Sequence, residues 1–507
     1  MISTSRKSFE ELAADVMRLS QSDSNWSKSS GALEFMVEFE RHSDNPKAFE
    51  ELVNALDALG GSAVDLILLP LAELAFIPLV VMHQHAVGHG GFHTGAMGRG
   101  SARLRWVYDC GSLRSAGQTR LSTEIERLAT GTDGEKRNID LLFISHFDRD
   151  HVSGIVELMS KVDVGTVIIP YLDDLERTIA LLDDVVKNKG TNTDLADEGA
   201  LRQALFDPAG WLTGLGAARV VQVRPGGPDT IPSRILEFAP GSGPELPPET
   251  RGAQPVLVPQ FAGNDPESEE QPIVDSGSGW MITHFGRRFG DWCFLPYVTA
   301  AAESVRRTFA VEMGKLLEKA DDEGMVAAFQ RKMGTDGFSA KVKKAYHECE
   351  LGDANAVSMS LYVGPFREGV WRSRRPLRAG KKWSDAGPGW LLTGDAKLEQ
   401  VGRREEWLEF YKGLKERVGA LMLPHHGSHS NFHEKILDVM RKDGLVFACR
   451  REKATGDPLH ENVWPHVEKL NVAIVSDDEK SSLMQVSGSP TLESAERVLS
   501  KVAEEWK

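Results

Sequence analysis

An apolar run, Ile139-Asp140-Leu141-Leu142-Phe143-Ile144-Ser145, leads directly into His146-Phe147-Asp148-Arg149-Asp150-His151, and a helical pattern over 152–159 follows. A run of that length between those flanks reads as a buried strand, and strand, turn and helix in succession form the unit of α/β folds. Four of the six residues in the turn can bind a metal. Two imidazoles and two carboxylates at the end of a rigid strand supply what a catalytic metal requires, namely hard oxygen and imidazole nitrogen donors with coordination positions left open.

The arrangement recurs further on. Trp390-Leu391-Leu392-Thr393-Gly394-Asp395 is an apolar strand ending in Gly-Asp. Ala420-Leu421-Met422-Leu423-Pro424-His425-His426-Gly427-Ser428 ends in paired histidines, and Val446-Phe447-Ala448-Cys449 is followed by Asp457-Pro458-Leu459-His460. Taken singly, each reads as a turn or a polar loop. Together they put donors at the carboxyl ends of successive strands, the edge where open α/β sheets place their sites.

The rest of the chain frames this core. At 507 residues it has room for two to four domains, or for one large domain with insertions. Residues 1–62 read as a helical segment: apolar residues recur at helical spacing over 46–59 and stop at Gly60-Gly61. That segment is either an accessory decoration or an arm that docks a protein partner. The main domain is expected over 80–507. It opens with two β-rich runs, 85–94 and 102–111, joined by a glycine-rich connection that suggests a hairpin. Insertions are expected near 225–280, which is rich in Pro, Gly and Glu, and near 300–350, where charged helical patterns cover 304–319 and 338–348. An amphipathic helix is expected over 489–506. The apolar stretch 64–82 contains Asp65, Glu73, Pro70 and Pro78, so it reads as core and not as a membrane span. Cys110, Cys293, Cys349 and Cys449 form no CxxC pair, and the first residues lack an apolar signal region. Both point to a reducing, cytoplasmic setting.

His146-x-Asp148-x-Asp150-His151 resembles the signature of metallo-β-lactamase-fold hydrolases, with Asp148 where the commoner form has a third histidine. With the later Thr-Gly-Asp and Pro-His-His-Gly-Ser, it looks most like the hydrolase domain of bacterial competence proteins, and it also resembles the choline-phosphate esterases of that fold. Val87-Gly88-His89-Gly90-Gly91 resembles the family's opening Val-Gly-Gln-Gly, with His89 replacing Gln. Asp109-Cys110-Gly111 resembles its Asp-x-Gly turn, and Asn355-Ala356-Val357-Ser358 its Asn-x-x-Ser. The resemblance implies a four-layer αββα sandwich with two divalent metal ions, Zn or Mn, at one edge. By position it implies that His146 and Asp148 hold one ion, that Asp150 and His151 hold the other, and that Asp395 bridges them. His426 would complete the second site, with His425 close to the substrate. A further ligand is expected from His284, with His347 as the alternative, and His460 is a possible substrate contact.

Such a pair of ions, about 3.5–4 Å apart, shares a bridging hydroxide that attacks phosphorus or carbonyl carbon, and Asp150 would orient it. Asp148 in place of a histidine hardens the first site and moves the expectation from Zn²⁺ towards Mn²⁺. The formal net charge of −15 opposes general nucleic-acid binding. Against that background the segment 366–383 stands out. It carries Arg367, Arg372, Arg374, Arg375, Arg378, Lys381 and Lys382 with Trp371 and Trp383, and one acid, Glu368. Because it connects the Asn355 strand to the Thr-Gly-Asp strand, it is expected to form a hairpin tip near the sheet edge, where Arg374, Arg375 and Arg378 could bind phosphate; the alternative is a solvated loop. The function expected is that of a metal-dependent phosphodiesterase or nuclease on DNA or RNA. The alternatives are a hydrolase of a small phosphoester, lactone or thioester, and a metal-binding subunit that acts only with a partner.

Overall fold

The computed structural model describes residues 80–99, 102–113, 115–130, 137–187, 203–227, 230, 256–260, 273–283, 292–299, 303–318, 323–332, 338, 341, 357–365, 372–374, 387–451 and 459–488. The segment 1–62, the helix expected over 489–506, and His284, His347, Arg375 and Arg378 lie outside the described residues.

The chain builds two mixed sheets. β1 (Val80–Gln84), β2 (Phe92–Arg99) and β3 (Ala102–Cys110) run antiparallel, as the hairpin signal predicts. β4 (Asn138–Phe143), β5 (Asp163–Pro170) and β6 (Arg219–Arg224) add to β3 in parallel. β7 (Val256–Gln260) takes the edge of the second sheet, and β8 (Ile273–Asp275) closes the parallel edge of the first. The second sheet continues antiparallel through β9 (Gly279–Thr283), β10 (Trp292–Thr299) and β11 (Ser358–Pro365). β12 (Arg372–Arg374) returns to the first sheet. β13 (Gly389–Leu392) then pairs antiparallel with β11, and β14 (Val418–Met422), β15 (Leu445–Cys449) and β16 (Asn471–Val475) extend it in parallel. β17 (Leu483–Gly488) joins the first sheet between β12 and β1.

Three apolar clusters separate the layers. Between the sheets lie Trp106, Phe143, Phe294, Trp390 and Phe447. On the outer face of the first sheet, Val107, Leu142 and Val167 meet Leu121 and Ile125 of α1 (Ser115–Ala129). On the outer face of the second, Leu391, Leu421 and Val446 meet Trp407, Phe410 and Tyr411. A strand buried on both faces must be apolar at consecutive positions, and β4 shows why its run does not alternate: Leu141 and Phe143 face the other sheet while Leu142 faces helices. The protein is thus an α/β sandwich of two mixed sheets with helices outside. Among the described residues no helix is long and apolar enough to cross a membrane.

The described parts of the expected insertions and of the basic segment pair with the sheets or pack on them. The stretch 225–280 supplies edge strands to both sheets, β7 and β8. Within 300–350, the helices Glu303–Leu317 and Met325–Lys332 bury Phe309, Met313, Val326 and Phe329 in the first sheet's outer layer, so they belong to the body of the fold. Of the basic segment the structure describes Arg372–Arg374, which form β12 and join the first sheet. β12 pairs there with Val486–Gly488 of β17, whose Ser487 faces Val80 across the ladder. Arg374 itself pairs with Val486, which faces Val81, three residues or about 10 Å at strand rise from Gln84, and the donor cluster lies beyond Gln84. Arg374 therefore sits towards the opposite end of the strand.

Candidate metal centre

The carboxyl ends of β3 and β4 in one sheet, and of β13, β14 and β15 in the other, meet at one end of the sandwich. Hydrogen bonds cross between the sheets there: Met359 N–H donates to Ser145 O at 2.8 Å, and Tyr108 O–H donates to Met359 O at 2.8 Å. Asp395 N–H donates to Ser358 Oγ at 3.0 Å, which gives the serine of Asn-x-x-Ser a positioning task. Gly394 turns the chain with φ +53°, where a Cβ would lie 2.7 Å from Ser358 Oγ.

Two groups of three donors form at this end. In one are His146, His151 and Asp395; in the other are His89, Asp150 and His426; within each group the ligand atoms lie within 4.8 Å of one another. His146 Nε2 is 3.5 Å from Asp395 Oδ2, and His151 Nε2 is 3.3 Å from Asp395 Oδ1. In the second group Asp150 Oδ2 lies 2.9 Å from His426 Nε2 and 3.8 Å from His89 Nε2. Two donors on one tetrahedral ion, each about 2.1 Å from it, stand about 3.4 Å apart, so these separations suit shared ligation. His151 Nε2 is also 3.9 Å from Asp150 Oδ2, which brings the two groups into contact.

The hydrogen-bond partners set the imidazole tautomers. Asp109 accepts from Ser145 N–H at 2.7 Å, from Ser145 Oγ–H at 2.8 Å and from His151 Nδ1–H at 2.8 Å. Because the Ser145 proton goes to Asp109, its oxygen accepts from His146 Nδ1–H at 2.9 Å. His426 Nδ1–H donates to Cys449 O at 2.6 Å, and His425 Nδ1–H donates to Asn431 Oδ1 at 3.0 Å. In the neutral rings every Nε2 therefore directs a lone pair at a carboxylate. The buried Nε2 atoms of His146 and His151 have no hydrogen-bond partner among the described residues. Lone pairs facing carboxylates repel unless a cation or a proton lies between them. The donor set is suited to hold a metal ion on that ground.

Electrostatics agrees. Burial alone would lower the His151 pKa, yet Asp109, Asp395 and Asp150 hold it well above its ordinary value. Burial opposes ionisation of Asp395 and Asp150 too. Even so His146, His151 and His425 hold Asp395 well below the usual carboxylate range, and His151 and His426 do the same for Asp150. Burial and the neighbouring His426 push His89 down to about 4, so its ring is neutral at pH 7 and able to ligate.

The local backbone is strained where it presents donors. Asp109, His425 and His426 have φ of 56°, 47° and 56°, in the left-handed region that costs a non-glycine residue about 1–3 kcal/mol. The second turn is held by Asn431, whose amide donates to Asp395 O at 2.8 Å while its carbonyl fixes His425.

Five of the expected ligands, His146, Asp150, His151, Asp395 and His426, thus enter the two groups. The partition differs from the one the resemblance implies, since His151 sits with His146 and Asp395. Asp148 is partly exposed, its Oδ2 4.0 Å from His146 Nε2 and outside both groups. His425 is also partly exposed, with Nε2 3.6 Å from Asp395 Oδ2. His460 stacks on His429 at 4.0 Å between ring centroids and enters neither group. Arg374 is described only as part of β12. Sequence reasoning missed His89 as a donor and Asp109, Ser145 and Asn431 as supports; Asp109-Cys110-Gly111 marked the place of one but not its role. No family model matches the chain, and no curated protein matches it.

Proposed function

We propose that this chain is a metal-dependent hydrolase of the metallo-β-lactamase kind, holding two divalent ions, Zn²⁺ or Mn²⁺, and cleaving a phosphodiester, with a nucleic acid as the substrate class. One observation carries the reading: imidazole lone pairs and two buried carboxylates converge from both sheets on two adjoining points, with partly exposed polar groups beside them. When bound, such ions lower the pKa of water towards neutrality and offset charge developing on the attacked centre. The chain's own residues do the rest. His146, His151 and Asp395 hold one ion, and Asp150 and His426 hold the other. Asp109 orients His151 directly and His146 through Ser145. His425 and Asp148 contact the substrate.

The test uses protein loaded with Mn²⁺ or Zn²⁺, assayed on bis-p-nitrophenyl phosphate and on single- and double-stranded DNA and RNA. The wild type hydrolyses at least one of these. Asp150→Ala loses more than about 100-fold, beyond the 10–100-fold typical of groups outside the ligand shell. A metal-loaded wild type inert on every phosphodiester would falsify the phosphodiesterase reading.

The position of β12 gives a second reading its own support. β12, the described part of the basic segment, lies towards the end of β17 away from the metal centre. A hydrolase of a small phosphoester, lactone or thioester fits that arrangement. Preference for such esters over all nucleic acids in the same screen would select it.

A further inference from the structure

The family resemblance assigns no metal to the loop between β1 and β2, and there His89 replaces a glutamine. We propose that His89 is a third protein ligand of the second ion, making the β1–β2 loop part of the metal centre. The inference rests on the two-metal reading above.

Three observations carry it. First, His89 Nε2 stands 3.8 Å from Asp150 Oδ2, too far for a hydrogen bond and suited to two donors on one ion. Second, its ring lies 4.1 Å from the His426 ring, and the ligand atoms of His89, Asp150 and His426 all lie within 4.8 Å of one another. Third, the loop backbone is fixed in a way that a solvated surface loop does not need. Gly88 N–H donates to Ser476 O at 3.1 Å, Leu113 N–H donates to His89 O at 3.0 Å, and Gly91 N–H donates to Asp150 O at 3.0 Å. The last of these ties the loop to the turn that bears Asp150. Gly90 permits that approach, because a Cβ there would fall 2.2 Å from Gly111 O and 2.9 Å from Asp150 O.

The consequence is a matter of coordination number. With Asp150 and His426 alone the second ion has two protein donors within its group and is held weakly. With His89 it has three, the number typical of catalytic sites that retain an open position. Loading the second ion then also anchors the loop after β1, and the two sites become matched in donor type, each with two imidazoles and one carboxylate.

Equilibrium dialysis of the full chain against Zn²⁺, read by elemental analysis, tests this on the wild type, His89→Ala and His89→Gln. The expected result is two equivalents on the wild type. His89→Ala keeps the first equivalent and binds the second about tenfold or more weakly, and His89→Gln, with a weaker oxygen donor, falls between. Thermal melts in chelator check that each variant folds; if His89→Ala melts far below the wild type, His89→Gln carries the comparison. Retention of two equivalents at wild-type affinity in the folded variants overturns the inference and leaves the two-metal reading standing. A wild type that binds no Zn²⁺ overturns both.

Discussion

Asp109 belongs to neither donor group, yet it decides which nitrogen two of the histidines present. Its carboxylate receives three hydrogen bonds, from Ser145 twice and from His151, while the chain at this residue adopts the left-handed conformation. An asparagine there keeps the volume but brings a donor to a place that needs acceptors. Asp109→Asn should therefore weaken divalent-ion binding by about 10–100-fold, the usual cost of disturbing an outer partner of a ligating histidine. Competition with a chromogenic chelator reads this directly, and an unchanged affinity would remove Asp109 from the account. Residues of this sort are hard to see in a sequence. Asp109 meets Ser145 and His151 across separations of 36 and 42 positions, and a lone acid before Cys-Gly looks like any turn. The expected donors His146, Asp150, His151, Asp395 and His426 are more legible, because each follows an apolar strand and carries chemistry that a plain turn does not require.

At the scale of elements, the donors sit where strands stop. β4, β13 and β14 are recognisable as largely apolar runs because both faces of each are covered, and their carboxyl ends then locate His146, Asp395 and His425-His426. The β1–β2 loop offers no such run. Its contribution depends on close packing at glycines, and Gly90 is the tightest point. Gly90→Ala forces backbone to move, since the clash is with the carbonyl of Gly111 and not with the end of a flexible side chain. We expect a loss of about 3 kcal/mol of stability by denaturant unfolding, at the upper end of common single-residue effects. A neutral result would mean that the loop is not fastened as described. Strand partnership between sheets is the part of the fold that sequence conceals most. β12 carries its arginines from one sheet to the edge of the other, and β7 and β8 divide between the two sheets, because edge strands of three to five residues leave little hydrophobic pattern.

Across the whole molecule, the two sheets are joined at one end by hydrogen bonds and by the two donor groups, each of which takes residues from both sheets. His146 and His151 come from the first sheet and Asp395 from the second, while His89 and Asp150 come from the first and His426 from the second. Cations held there would connect the halves of the sandwich and offset the charge of Asp109, Asp150 and Asp395, which are buried around His151. The measurement that tests this most directly is anomalous diffraction at the zinc edge from crystals grown with Zn²⁺. Two peaks are predicted, one bounded by His146, His151 and Asp395 and the other by His89, Asp150 and His426. The absence of a peak from either group, or ions held by other residues, would contradict the account.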